Sequence, residues 1–234
     1  LDLKIVVPSK QLYDDVKKSP ILGEKEVFII PNGIDTKKFK SMDNDYAKEK
    51  LKIPNKFTIL FIAQVAFENY RKGTHILQKI FEQFKDNNKI QFLVAGLNSE
   101  KWKLFSYKNL IPLKYNKNIS WKNLVYNSAD LLIVPSVNEN FPNVILESMA
   151  CGTPVMSFKT GGIDNIIDKK NGILVENFDI KKFIDSIQIL LKKKKLLISL
   201  KKNCRKTIEK NFSIQNEVKS YIEIYNKVLN ENNN

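Results

Sequence analysis

The sequence predicts a doubly wound, Rossmann-like parallel α/β sheet followed by a helical tail. Segments that are apolar at nearly every position alternate along the chain with segments whose apolar residues recur every three or four positions. Turn signals of Gly, Pro and Asn separate the two kinds of segment. Strands that are apolar throughout are typical of parallel sheets, because helices cover both faces of such sheets. Beyond Ile180 only the three-and-four spacing remains, which predicts the helical tail.

The predicted strands are short apolar segments, several of which end at a Pro or a Gly. Phe57–Ala63, with the sequence FTILFIA, is the longest of them and has the pattern of a strand buried on both faces. Ile119 is a candidate for the start of a further short strand. The other predicted strands are Leu3–Pro8, Val27–Ile30, Ile90–Ala95, Leu131–Val134, Val155–Phe158 and Gly172–Val175.

The helices are predicted from their capping residues and from apolar spacing. Ser9 is expected to cap a helix over Gln11–Lys18, and Pro142 is expected at the first position of a helix that ends at Gly152. Asn98–Tyr107 is predicted to be helical or irregular. The remaining predicted helices are Asp43–Leu51, Thr74–Phe84, Trp121–Ser128, a short one that ends at Ile167, and the tail Ile180–Leu229.

Composition is that of an ordinary globular protein with an excess of positive charge. The 234 residues are 43% hydrophobic and 27% charged, which suits one large domain or one domain with part of another. The net charge of +14 favours anionic partners such as phosphorylated ligands or acidic lipid. An A- and T-rich coding sequence, which raises Lys and Asn together, explains it equally well. The run Lys192–Lys195 is accordingly a solvated face or a contact with anionic lipid.

Several function classes receive no support. No apolar segment approaches the ~18 residues of a membrane helix, and the start lacks the pattern of a signal peptide and a Met. Cys151 and Cys204 are widely spaced, which indicates neither a metal site nor a disulfide framework. No nucleic-acid-binding motif is present. We therefore expect a cytoplasmic protein, with peripheral contact at the inner face of an anionic membrane as an open alternative, and no nucleic-acid partner.

The candidate site lies in the segment 136–162, where two carboxylates flank a predicted helix start. Glu139 is expected in the loop before the helix and Glu147 about one turn inside it. Because the first N–H groups of a helix have no intrahelical acceptor, they bind anions, and a phosphate is the natural ligand. Carboxylates on either side can accept hydrogen bonds from hydroxyl groups, of which sugars carry many.

This segment resembles the retaining nucleotide-sugar glycosyltransferases of the GT-B fold, family 4. Their signature of Glu, seven residues and Glu is present here as Glu139-Asn-Phe-Pro-Asn-Val-Ile-Leu-Glu147. The flanking strand Leu131–Pro135, the following ACGTPV at 150–155 and the earlier PNGID at 31–35 are also similar to the family. The resemblance implies transfer of a sugar, with retention, from a UDP- or GDP-sugar to a glycan or lipid-linked acceptor, without a metal or other cofactor.

The resemblance also implies roles for individual residues. Glu139 is expected to face the hydroxyls of the donor sugar and Glu147 to bind the ribose of the nucleotide. The backbone groups of Phe141, Pro142 and Asn143 are expected to face the sugar and the phosphate.

Arg71 and Lys72 are the candidate cations for a diphosphate. They lie between a buried strand and a helix start, where two positive charges can neutralise a leaving diphosphate. The resemblance assigns this role to Lys72. The family often has a Gly-Arg pair directly after the preceding strand, and this chain has Ala63-Gln64 there. Either Arg71 replaces the missing charge or the grip on the phosphates is weaker. A solvated basic loop is the alternative.

Gly161 and Gly162 are candidates for a close approach between backbone and donor. Two glycines permit positive φ and contact with a ligand, and the family has a similar pair, although a plain turn is nearly as well supported. The Pro-Glu that commonly follows in the family is Asp164-Asn165 here, so neither receives a side-chain role. His75 is the single histidine and is interpreted as structural rather than as a catalytic base.

The resemblance implies a division of the chain into two parts. Residues 1–38 are expected to be the tail end of an N-terminal acceptor domain with its linker. Residues 39–234 are expected to form the donor-binding domain with its closing helices. Such a piece is expected to bind a nucleoside diphosphate and to turn over poorly alone. Two alternatives stay open: a non-catalytic module that binds a nucleotide sugar or a polyanion, and a nucleotide-sugar epimerase, which the absence of its catalytic acids disfavours.

Overall fold

The computed structural model describes residues 3–176 and 178–231, arranged as alternating strands and helices with a helical tail. The strands are β1 (Lys4–Val7), β2 (Glu26–Ile29), β3 (Phe57–Val65), β4 (Ile90–Leu97), β5 (Leu110–Lys114), β6 (Leu131–Val134), β7 (Val155–Phe158) and β8 (Gly172–Val175). The α-helices are α1 (Lys10–Lys17), α2 (Asn44–Leu51), α3 (Thr74–Phe84), α4 (Ile119–Ser128), α5 (Asn143–Ala150), α6 (Ile180–Lys192), α7 (Lys194–Asn211) and α8 (Ile214–Glu231).

Six strands form one fully parallel sheet in the order β5-β4-β3-β6-β7-β8. The chain builds outward from β3 to β5, then returns to the other side of β3 with β6. At such a reversal the loops that follow the two adjacent strands diverge and leave a crevice at the carboxyl edge of the sheet. Here those loops are 66–73, after β3, and 135–142, after β6. The predicted doubly wound sheet is confirmed.

The core has one layer on each face of this sheet. Side chains of β3 alternate between the layers, so that Ile59 and Phe61 lie in one and Leu60 in the other. Phe81 of α3 and Phe183 of α6 pack into the first layer. The second layer is formed by α4, α5 and α7. Burial on both faces accounts for the apolar sequences of the central strands.

The first part of the chain forms a separate two-stranded sheet that α8 holds in place. β1 and β2 pair in parallel. The backbone N–H of Gly33 donates to the carboxylate of Glu217 at 3.0 Å, and Ile34 forms a bridge with Ser213 at the start of α8. Lys227, further along α8, makes an ion pair with Glu26 of β2. The last helix therefore returns to the beginning of the chain.

Some sequence predictions were wrong in detail. Ile119 begins α4 rather than a strand, because Asn118 caps that helix by accepting from the N–H of Ser120 at 2.7 Å. β5 was not predicted: it is a half-buried edge strand that contains Pro112, and edge strands tolerate proline. Pro142 is the residue before α5 and not its first residue.

Other boundaries differ by less. Gly96 lies inside β4 rather than after it, and the short helix predicted before Ile167 is a 3-10 turn over Ile163–Asn165. The segment left open between helix and irregular structure contains a 3-10 helix, Ser99–Phe105. The end of the asparagine-rich C-terminus, residues 232–234, lies outside the described residues.

Candidate active site

The loops after β3 and β6 are in direct contact at the crevice. The N–H of Val137 donates to the carbonyl of Arg71 at 3.0 Å. Gly73 has a φ of +73°, and a Cβ on it would lie 1.9 Å from the carbonyl oxygen of Pro135. Only a glycine fits this approach, because any larger residue would push the two loops apart. The contact brings together residues that are far apart in the sequence.

Lys72 and Glu139 form an ion pair where these loops meet. The Lys72 Nζ lies 2.5 Å from Glu139 Oε1, and Arg71 Nη1 lies 3.5 Å from Glu139 Oε2. Glu139 is buried, and Arg71 is more than half exposed. Asn69 fixes the turn by accepting from the backbone N–H of Lys72 at 3.2 Å. An ammonium group has three N–H donors, so Lys72 can contact Glu139 and a second acceptor together.

Glu147 is held from a different direction, by α4. Lys122 Nζ lies 3.0 Å and 3.3 Å from the two oxygens of Glu147, and the Tyr126 hydroxyl donates to Oε2 at 2.6 Å. Lys122 and Tyr126 are four residues apart and therefore share a helix face. Burial, together with the neighbouring Glu147 carboxylate, raises the pKa of Tyr126 well above its usual range, so that its hydroxyl remains a donor. Sequence analysis missed both partners of Glu147.

A cavity of about 460 Å³ opens beside Glu147 at the carboxyl edge of the sheet. Its lining comes from the ends of β3 and β4, from the segment after β5, and from α4 and α5. Gln64, at the position where the resembling family often has an arginine, faces this cavity. The other lining residues used below are Tyr115, Lys122, Tyr126, Asn143 and Glu147.

Two groups of predicted residues thus lie at the same edge without forming one cluster. Glu147 and Asn143 line the cavity, whereas Arg71, Lys72 and Glu139 belong to the adjoining loops and are not among its lining residues. The short segment 140–142 joins the two groups. This arrangement offers cations and a helix N-terminus at one end and a fixed carboxylate at the other.

Most groups of the segment between the two carboxylates already contact other parts of the protein. Phe141 is buried and packs against Phe212, with ring centroids 5.9 Å apart. Pro142 has no N–H, and its carbonyl accepts from the N–H of Ile145 at 3.0 Å. Asn143 Oδ1 accepts from the side chain of Asn32 at 3.1 Å. The backbone donors that remain for a ligand are therefore the first N–H groups of α5.

Gly161 and Gly162 lie behind the Glu139 loop. A Cβ on Gly161, whose φ is +58°, would lie 1.5 Å from the carbonyl oxygen of Glu139. The N–H of Gly162 donates to the carbonyl of Asn140 at 2.8 Å. Ser9 Oγ, from the first part of the chain, donates to Asn140 Oδ1 at 2.6 Å. These contacts set the position of the loop that carries Glu139.

Cys151 and His75 do not contribute reactive groups at this edge. Burial and the nearby Glu147 carboxylate raise the pKa of the Cys151 thiol to about 12, so the thiol stays protonated at neutral pH. The His75 ring stacks on Tyr70 at a centroid distance of 4.3 Å. His75 is not among the residues that line the cavity beside Glu147.

Residues 3–176 and 178–231 contain neither a candidate metal site nor a membrane-spanning helix. Within those ranges no group of three or more His, Cys, Asp or Glu side chains is placed to hold a metal ion. None of the helices described there is long and apolar enough to cross a membrane.

Sequence comparisons connect this chain with known enzymes. The family described as "Glycosyl transferases group 1" matches residues 43–207. The capsular polysaccharide biosynthesis glycosyltransferase CapM of Staphylococcus aureus is 26% identical over 97% of this chain and 62% of its own length. A UDP-Gal:alpha-D-GlcNAc-diphosphoundecaprenol alpha-1,3-galactosyltransferase of Escherichia coli is 26% identical over 92% of this chain and 56% of its own length. The chain thus spans less than two thirds of both relatives.

Solved structures share the fold. Sucrose-phosphate synthase from Thermosynechococcus elongatus superposes with a TM-score of 0.83 at 22% identity, over 97% of this chain and 59% of its own. Anabaena HepE in complex with UDP-glucose superposes with a TM-score of 0.81 at 18% identity, over 95% of this chain and 63% of its own. At these identities the likeness shows a common architecture.

Proposed function

Because this chain belongs to the glycosyl transferases group 1 family, we propose that it is the donor-binding part of a glycosyltransferase. It binds a nucleoside diphosphate sugar at the carboxyl edge of the sheet. The observation that carries the proposal is the ion pair of Lys72 with Glu139, beside the N-terminus of α5 and next to the cavity that contains Glu147. The solved HepE structure, which shares the fold, holds UDP-glucose.

The diphosphate is proposed to lie between Lys72, Arg71 and the first N–H groups of α5. Transfer breaks the bond between the anomeric carbon and the diphosphate oxygen, and negative charge then accumulates on the leaving nucleoside diphosphate. Cations and oriented N–H groups stabilise that charge, and one such donor is worth on the order of 3 kcal/mol in enzymes. Glu139 accepts hydrogen bonds from the hydroxyls of the sugar.

The nucleoside is proposed to lie in the cavity beside Glu147. Lys122 and Tyr126 donate three hydrogen bonds to that carboxylate, which leaves one of its roughly four acceptor sites, on Oε1, for a ribose hydroxyl. Tyr115, from the segment after β5, lines the same cavity and is a candidate contact for the base. The charge that an arginine would supply at Gln64 is proposed to come from Arg71, whose guanidinium is more than half exposed.

The finer features of the reaction are proposals for the full-length protein. These are retention at the anomeric carbon, transfer of a hexose, a glycan or lipid-linked acceptor, and a cytoplasmic location in contact with an anionic membrane. The name of the Escherichia coli relative specifies a diphosphoundecaprenol acceptor. We assign residues 1–38 to the end of an acceptor domain, which the separate sheet of β1 and β2 supports.

Nucleotide titration tests the donor site. Calorimetry of this chain with UDP, GDP and ADP is expected to give binding of at least one nucleotide, with sugar transfer slow or absent without the rest of the protein. The same titration on a Lys72→Met variant is expected to give weaker binding. If none of the three nucleotides binds, the proposed donor site is wrong. Salt-sensitive binding of RNA in their place would favour a polyanion-binding module.

Replacing Tyr126 by Phe tests the role of Glu147. The substitution removes the hydroxyl that donates to Glu147 Oε2 and leaves Lys122 in place. We expect the affinity for the preferred nucleotide to fall about fivefold, which is the usual worth of one hydrogen bond, ~1 kcal/mol. Tyr225→Phe removes the hydroxyl of an exposed tyrosine on α8 and serves as the control. Equal affinities for the two variants would contradict a ribose contact at Glu147.

A further inference from the structure

A second and larger cavity, of about 750 Å³, lies at the opposite edge of the sheet. Phe57 at the start of β3, Lys89 before β4 and Asp130 before β6 contribute to its lining. It is therefore at the amino ends of the strands. Since β3 has nine residues that each advance ~3.3 Å, on the order of 25 Å of sheet separates this cavity from the candidate active site.

The lining carries a strong excess of positive charge. Five lysines face the cavity: Lys48, Lys56, Lys89, Lys192 and Lys194. Asp130 is the one carboxylate among the described residues that line it. Both oxygens of Asp130 are already paired, Oδ1 with Lys201 Nζ at 2.8 Å and Oδ2 with Lys48 Nζ at 3.3 Å. The remaining lysines of the lining thus face the cavity without a carboxylate from that lining to neutralise them.

One of these lysines, Lys194, lies at the N-terminus of a helix, where a positive charge is unfavourable. α7 begins at Lys194, and within the described chain no side chain caps that N-terminus. Lys194 and Lys195 add positive charge where the dipole of α7 is already positive, which is repulsive, whereas Lys192 lies in the last turn of α6. A bound anion would relieve this repulsion and accept from the first N–H groups of α7.

Part of the cavity is preformed and rigid. Lys48 is 4% exposed, although it is a lysine, because its ammonium group donates to the carbonyl of Lys56 at 2.8 Å and pairs with Asp130. The pairing in turn fixes Asp130 and the start of β3, since the N–H of Thr58 donates to the same carboxylate at 2.9 Å. The polar side of the cavity, formed by Lys48, Lys56 and Asp130, is therefore held in place by the protein's own hydrogen bonds in the absence of a ligand.

The rest of the lining is apolar. Phe84, Leu190 and Leu197 are buried and form the floor, and Ile198 lies at the cavity while 65% exposed. An exposed isoleucine beside a group of lysines suits a ligand that has an anionic end and an apolar end. A free inorganic anion would leave this apolar surface in water.

We propose that this cavity is a second binding site, for a phosphate ester that carries an apolar group. The phosphate lies among Lys56, Lys192 and Lys194, and the apolar group covers Leu191 and Ile198. The source of such a ligand is either a soluble metabolite or the headgroup region of an anionic lipid. The proposal does not depend on donor binding at the other edge, and UDP is not expected to compete with the ligand.

Calorimetry with inorganic phosphate and hexyl phosphate tests the chemistry. Hexyl phosphate is expected to bind at least about tenfold more tightly than inorganic phosphate, because its methylene groups cover apolar surface. The double variant Lys192→Glu, Lys194→Glu is expected to weaken hexyl phosphate binding at least about tenfold, since it removes two cations and adds two anions.

The control is Lys181→Glu with Lys182→Glu, which makes the same change in charge on exposed residues near the other end of α6. At 1.5 Å per residue these positions are about 16 Å from Lys192. The control variant is expected to bind hexyl phosphate as the wild-type chain does. If both double variants weaken hexyl phosphate binding equally, the ligand responds only to the net charge of the protein, and the proposal is overturned. Absence of hexyl phosphate binding, or no preference for it over phosphate, would overturn it as well.

Vesicle sedimentation identifies the source. Vesicles of phosphatidylcholine with and without phosphatidic acid are mixed with the wild-type chain and both double variants. Binding that requires phosphatidic acid and is lost only in the Lys192, Lys194 variant supports a lipid source. Binding of hexyl phosphate with no vesicle binding supports a soluble ligand. If both double variants bind vesicles equally, the cavity is not the site of lipid binding.

Discussion

Replacing Lys72 by Met is expected to lower the rate of sugar transfer by the full-length protein about 10²–10³-fold. Lys72 lies where the loops after β3 and β6 meet, and its ammonium group is proposed to neutralise the diphosphate as the bond to the sugar breaks. Loss of one such charge or donor commonly costs this factor in enzymes, because solvent replaces a fixed, oriented charge poorly. The measurement is the rate at which nucleoside diphosphate is released from the donor.

Two comparisons isolate the effect of the Lys72 charge. Lys79→Met removes an equal charge from an exposed position on α3 and is expected to leave the rate unchanged. Arg71→Ala is expected to act more weakly than Lys72→Met, since Arg71 is more exposed and 3.5 Å from Glu139. A thermal melt is needed as well, because the buried Glu139 loses its nearer partner at a cost of about 2 kcal/mol. A folded Lys72→Met protein with near wild-type rate would refute the assigned role.

Replacing Gly161 by Ala is expected to lower the same rate about 10²-fold. The new Cβ would stand 1.5 Å from the carbonyl oxygen of Glu139, so one of the two loops must move by an ångström or more. A displacement of 1 Å in a positioned group is enough to cost this factor. The positive φ of +58° adds roughly 1–2 kcal/mol of backbone strain, which lowers the free energy of unfolding.

Gly152→Ala is the matched control for this steric effect. Gly152 also has a positive φ, +82°, but the nearest atom to an added Cβ is Ser41 Oγ at 3.4 Å. The control therefore carries the backbone strain without the collision at Glu139. We expect it to lose a similar 1–2 kcal/mol of stability and to keep its rate. If Gly152→Ala lowers the rate as much as Gly161→Ala, the loss reflects instability and not the position of Glu139.

The central strands and the long helices could be predicted because burial requires a recognisable pattern of apolar residues in the sequence. β6 and β7 are buried at every position, and their bounds follow from where apolar residues stop. Helix α3 was predicted with its observed bounds, Thr74–Phe84, from the spacing of its buried residues. β5 was missed because it lies at the edge of the sheet and is half buried along most of its length, so burial does not require the same apolar pattern there.

The arrangement of the site could be anticipated only in part. The motif at Glu139 and Glu147 and the turn at Lys72 are visible in the sequence as residue types in a pattern. Their distances depend on the order of strands in the sheet, in which β6 lies next to β3 although β4 and β5 intervene in the chain. The partners of Glu147 depend on how α4 packs against α5, and no local pattern at Lys122 or Tyr126 specifies that contact.

The hydrogen bond between Ser9 and Asn140 ties the loop that carries Glu139 to the residues that follow β1. Asn32, after β2, donates to Asn143 at the start of α5, so the loop and the helix that follows it are each tied to the first part of the chain. Gly33, next to Asn32, donates in turn to Glu217 of α8. A rotation of the first sheet relative to the rest must carry the loop with it or break both ties. The position of Glu139 and the orientation of the first sheet are consequently coupled.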